Sequence, residues 1–77
     1  MVGSIVHLIF RQELNRNEIA LVSLHATHEG ALNRMAGEAE YWLDVGANVS
    51  RERSGGLTVE FGQKKWYFFI SSRTIDI

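Results

Sequence analysis

"KKWYFFISS", residues 64–72, sets five aromatic or aliphatic side chains in a row, Trp66 to Ile70, with no polar break. Extended backbone turns successive side chains to opposite faces, so a strand of this composition is apolar on both sides. If Trp66, Phe68 and Ile70 point at one covering layer, Tyr67 and Phe69 point away from it. The fold is decided by what can lie on each side.

Upstream of this strand, "GQK" is a turn signal and "LTVEF", residues 57–61, alternates with Leu57, Val59 and Phe61 on one side. "SGG" is a further turn, and "ANVSRER" before it reads as a short polar strand, with residues 48–53 either paired or not. The last strand runs from residue 65 to about 72, or on to Ile77. At the other end of the chain, residues 4–12, "SIVHLIFRQ", and 18–26, "EIALVSLHA", read as two strands of a hairpin around "ELNRNE".

A three-residue loop, Asn15 to Asn17 with Asn17 left-handed, would complete that hairpin. Val22 then falls opposite Phe10, Leu24 opposite Leu8 and His25 opposite His7. One face carries Val6, Leu8, Phe10, Ala20, Val22 and Leu24 and is expected to join the core. The other carries Ile5, His7, Ile9, Arg11, Ile19, Leu21, Ser23 and His25.

Between the two β segments, residues 27–45 read as a helix. Thr27 is a good N-cap, Glu29 sits where the dipole favours an anion, and Gly46 is a natural stop. Leu32, Met35, Ala36, Ala39, Trp42 and Leu43 recur at helical spacing and are the expected buried stripe. Arg34 and Glu38 are placed to pair, and Glu40 and Asp44 make the outer surface acidic. Gly30 and Gly37 each cost about 1 kcal/mol in a helix interior, which close packing against bulky sheet side chains would offset.

The expected fold is therefore α+β, one domain over residues 1–77. It has an antiparallel four- to five-stranded sheet with one helix on one face, in the order ββα then ββ or βββ. Five strands span about 24 Å and one helix about 10 Å. The helix covers the middle of one face and nothing of the other. An apolar patch left open on a small protein usually marks an interaction site. The alternative is that long side chains such as Arg11, Arg73 and Glu60 fold over it. Ile9, Arg11, Lys64, Lys65, Tyr67, Phe69 and Arg73 are the expected partner-binding residues.

Composition narrows the chemistry. The 77 residues include 8 Lys and Arg against 9 Asp and Glu, and no cysteine or proline. Disulfides and thiolate chemistry are excluded, and the charge balance argues against general phosphate binding. The opening segment "MVGSIVHLIFRQ" lacks a basic start and its apolar run ends at Arg11, so neither a secretory signal nor a membrane span is expected. His7 and His25 oppose each other with His28 nearby, but zinc wants three or four ligands, so no metal is expected. Ser23 and His25 share a face with no recognisable catalytic motif around them. No catalytic residue and no cofactor is expected. A rival reading comes from Tyr67 and Phe69 beside Lys64, Lys65 and Arg73. Aromatics on a sheet with basic neighbours form a stacking platform for single-stranded nucleic acid. A third reading is a homodimer that uses the open face as its own interface.

A hairpin, a capped helix and the glycine-punctuated "SGGLTVEFGQKKWYFF" resemble small accessory proteins carried by phages and mobile elements, some small anti-CRISPR proteins among them. The resemblance spans most of the chain and is one of pattern, so it assigns no residue a role. It implies a non-catalytic, phage-encoded inhibitor in the host cytoplasm that occludes a host protein or nucleoprotein complex by surface binding.

Overall fold

The first and last strands meet in the middle of the sheet. In the computed structural model, which describes residues 4–16, 18–53 and 55–75, β1 (Ser4–Glu13) and β5 (Lys64–Ile75) run antiparallel. Their register is unbroken from Ser4 opposite Ile75 to Glu13 opposite Trp66. β2 (Glu18–His25) flanks β1, and β4 (Leu57–Phe61) flanks β5, with β3 (Asn48–Arg51) beyond it. The five strands lie in the order β2-β1-β5-β4-β3, every neighbouring pair antiparallel. The polar segment before "SGG" is thus a strand, and the order is ββαβββ.

The helix α1 (His28–Asp44) links the two outermost strands. Its 17 residues rise about 26 Å, against about 19 Å between the axes of the outer strands. It therefore crosses one face from edge to edge. Thr27 caps its start by accepting a hydrogen bond from the Gly30 N–H at 3.0 Å. At its end Gly46 takes φ 93°, a left-handed conformation that a side chain would strain. The Arg34–Glu38 pair forms on its outer side at 3.2 Å.

Beneath the helix lie Ile9, Leu57, Val59 and Phe68, all buried, packed with Ala31, Met35, Ala39 and Ala47. Trp42 stacks on Trp66 at 5.1 Å, and Val22, Val49 and Ile70 border the cluster. The helix lays its small residues on the sheet. Met35 and Ala39 of the expected stripe are buried and Trp42 packs against them, whereas Leu32 and Leu43, expected in the core, remain 41% and 57% exposed at its margins and Ala31 is buried in addition. Large sheet residues fill the interlayer space, so the facing helix positions must be small.

The face of β5 is as expected, with Phe68 under the helix and Trp66 and Ile70 packed around the core. The faces of β1 are the reverse of expectation. Ile9 is 0% exposed in the core, not on the open face. Val6, Leu8 and Phe10 turn away from the helix. Pairing decides this: Ile9 lies opposite Ile70 and Phe10 opposite Phe69, and opposed residues share a face. Arg11, opposite Phe68, belongs to the helix side as well and stays exposed.

His7 faces His25 and Leu8 faces Leu24 as expected, but the hairpin register slips beyond Ile9. Phe10 pairs with Leu21, not Val22, and the last pair is Glu13 with Glu18. A bulge at Val22 absorbs the extra residue and turns its side chain to the core. Leu24, expected in the core, is 57% exposed on the open side. The expectation for Asn17, the Ser54 part of "SGG" and residues 76–77 fall outside the described residues.

Candidate functional site

Alternation along β5 carries Tyr67 and Phe69 to the face that the helix leaves bare. Phe69 stacks on Phe10 across the β1–β5 pair at 5.6 Å and 27°, and on Tyr67 along its own strand at 5.6 Å and 22°. Such pairs favour each other by about 0.5–1.5 kcal/mol beyond their burial. The three rings form a continuous half-buried row. Leu8 and Val6 continue it along β1, and Leu21 and Leu24 extend it onto β2.

The same face changes character on its other half. Thr58 and Glu60 of β4 and Asn48 and Ser50 of β3 point to it, with Lys65 directly opposite Glu60. Arg73 lies opposite Val6, where its Nε donates to the Ser71 hydroxyl at 3.3 Å. Lys65 and Arg73 thus stand at the two ends of the aromatic row. The apolar part covers three strands, about 14 Å by about 27 Å, or about 400 Å² in projection. A patch of that size on a monomer is often functional.

Of the residues expected to bind a partner, Lys65, Tyr67, Phe69 and Arg73 are brought together on this face. Ile9 is core, and Arg11 and Lys64 alternate to the helix side. Val6, Leu8, Phe10 and Leu24 belong to the site and were expected in the core. One sequence signal points to them: an aromatic on β1 favours an aromatic opposite on β5, and only the observed register sets Phe10 against Phe69.

Gly56 shapes the site from below. A Cβ on it would stand 2.8 Å from the Tyr67 hydroxyl and 3.2 Å from the Phe68 carbonyl oxygen. The Tyr67 ring therefore lies directly against bare backbone.

The histidines gather at the opposite end of β1, on the helix side. His7 and His28 meet edge to face at 5.4 Å, and His7 Nδ1 hydrogen-bonds with the Ser72 hydroxyl at 2.8 Å. His25 Nε2 hydrogen-bonds with the Ser23 hydroxyl at 2.8 Å. Among the described residues no three potential ligands converge on a metal position. No carboxylate among the described residues hydrogen-bonds the His25 imidazole. What His25 Nδ1 approaches is Gly30, at 3.6 Å from the position of a Cβ there. These contacts join the helix start to the sheet.

Among the described residues no helix is long and apolar enough to cross a membrane. The chain matches no protein-family model, and no curated protein or solved structure matches it.

Proposed function

We propose that this is a small non-catalytic binding protein that docks through its open sheet face, a cytoplasmic inhibitor that occludes a host protein or nucleoprotein complex. The observation that carries the reading is the stacked row Tyr67–Phe69–Phe10 on a face that no element of the described residues covers, continued by Leu21 and Leu24 at 57% exposure. Aromatic residues at the centre of a patch, with charges at its ends, have the composition of an interface hot spot. The resemblance to small anti-CRISPR proteins supports the choice of an inhibitor.

The test is capture of host proteins from lysate by tagged wild type, by Tyr67→Ala/Phe69→Ala and by Arg11→Ala. The double variant is expected to lose the specific partner, each truncation weakening binding by about 2 kcal/mol or more. Arg11→Ala, on the other face, is expected to keep it. Equal capture by the double variant would remove the open face from consideration.

Lys65 and Arg73 beside the ring row favour a second reading, a stacking platform for single-stranded nucleic acid. That reading requires binding of single-stranded oligonucleotides that weakens steeply with salt and is reduced by Lys65→Ala and Arg73→Ala. Fluorescence anisotropy at two salt concentrations decides it. A homodimer closed over the open face would appear in light scattering as a dimer that the Tyr67/Phe69 double variant separates.

A further inference from the structure

The sheet ends in two free edges of different build. β3 offers 4 residues, and only Val49 of them is apolar. β2 offers 8, with no proline, lysine or arginine. Short length, proline and basic side chains are the usual means of keeping an edge from pairing with another chain. Bulges and charged side chains are further such devices, and β2 carries a bulge at Val22 and the exposed carboxylate of Glu18 at its start. Val22 turns inward to the core, and the other seven keep consecutive positions opposite β1, from Glu13 to His7. Ile19, Leu21 and Leu24 stand exposed along this edge.

A conflict inside the hairpin points to what the edge meets. Glu18 lies directly opposite Glu13, and like charges so placed weaken a strand pair. Neither carboxylate has an ion-pair partner among the described residues.

We propose that β2 pairs antiparallel with β2 of a second copy about a two-fold axis through Leu21, joining two five-stranded sheets into one. Counted by their partners on β1, the seven regular residues of β2 have Leu21 at their centre. The two-fold sets Leu21 opposite itself, Ala20 opposite Ser23 of the second copy, Ile19 opposite Leu24 and Glu18 opposite His25. Each pair unites residues of the same face. Ile19, Leu21 and Leu24 belong to the open side through Gln12, Phe10 and Leu8, while Glu18, Ala20, Ser23 and His25 belong to the helix side through Glu13, Arg11, Ile9 and His7. The only carboxylate on β2 meets its only imidazole, and symmetry makes that contact twice. The contact uses the edge; it shares Leu21 and Leu24 with the open-face patch but none of the ring row Tyr67–Phe69–Phe10. It sets two open faces side by side and leaves both uncovered.

Sedimentation equilibrium on the full chain tests it, with Glu18→Lys as the principal variant. That substitution puts a cation opposite His25 at both ends of the contact while converting the Glu13 pair to opposite charges. Wild type is expected to dimerise. The variant is expected to raise the dissociation constant by about tenfold or more, with a melting temperature of the monomer no lower than wild type. Glu18→Lys/His25→Glu is expected to restore the dimer. Leu21→Lys, which sets like charges on the axis at an exposed position, is expected to abolish it should the charge reversal disturb folding. A wild type that is monomeric at every accessible concentration overturns the proposal. So does a dimer that Glu18→Lys leaves intact but Phe69→Ser separates, which would place the contact on the open face.

Discussion

Three glycines show how a single missing methyl group can be required, tolerated or wasted. Gly56 has no room: an added Cβ would meet both the Tyr67 hydroxyl and the backbone oxygen of Phe68. Gly56→Ala is expected to cost about 1–3 kcal/mol through overpacking and to push the Tyr67 ring off its stack. Urea denaturation reads the first effect and partner capture the second. Gly30 is close to the Thr27 hydroxyl, at 3.1 Å, and to the His25 ring, as the expectation of tight helix packing requires. Gly37 has nothing within 4 Å of where its Cβ would be. The close-packing reason fails there, so Gly37→Ala is expected to stabilise the chain by about 1 kcal/mol. For a domain of this size that is a rise of about 4–8 °C in Tm, measurable by circular dichroism.

Among the strands, β1 gives the sharpest contrast between neighbouring positions. Ile9→Ala removes a side chain enclosed by the core and is expected to cost about 2–5 kcal/mol. Leu8→Ala, on the open face, is expected to cost distinctly less. Equal losses in a denaturation series would mean that the open face is covered in solution. On β5, Phe68 is fully buried under the helix, and Phe68→Ala is expected to cost about 3–5 kcal/mol, enough to unfold a domain of marginal stability. Elements of this kind were legible in the chain. Thr27 and Gly46 mark the helix ends, and Gly62, in a left-handed turn, separates β4 from β5. The middle of the buried helix stripe, Met35, Ala39 and Trp42, was legible, but its edge was not, because Ala31 carries a weaker hydrophobic signal than Leu32 and Leu43. The burial of Ala31 follows from the bulk of Phe68, Val59 and Ile9 on the facing sheet.

The molecule as a whole closes through its first and last strands. The pairs of β1 with β5 join residues 53 to 71 positions apart in the chain, and no local contact can substitute for them. Loop closure must precede these pairings, so folding is expected in the slow range of mixed and β-rich domains, milliseconds to seconds. Stopped-flow refolding monitored by Trp66 and Trp42 fluorescence measures it, and microsecond folding would contradict the expectation. The same closure creates the candidate site. Phe10 and Phe69 come from the first and last strands, and neither hairpin alone assembles the ring row.

Periodicity, turn chemistry and capping residues sufficed for the class of fold, the element order and the two-sided character of β5. They also sufficed for Tyr67 and Phe69 on a bare face, since one helix cannot cover two sides of a sheet. The facing of β1 was beyond them. Alternation favours the wrong side, since Val6, Leu8 and Phe10 make one face wholly apolar while His7 and Arg11 interrupt Ile5 and Ile9 on the other. Only the pairing of Ile9 with Ile70 and Phe10 with Phe69 chooses. That choice moves Ile9 into the core and Phe10 onto the open face, because a strand's register against a distant neighbour is set by tertiary packing and not by its own residues.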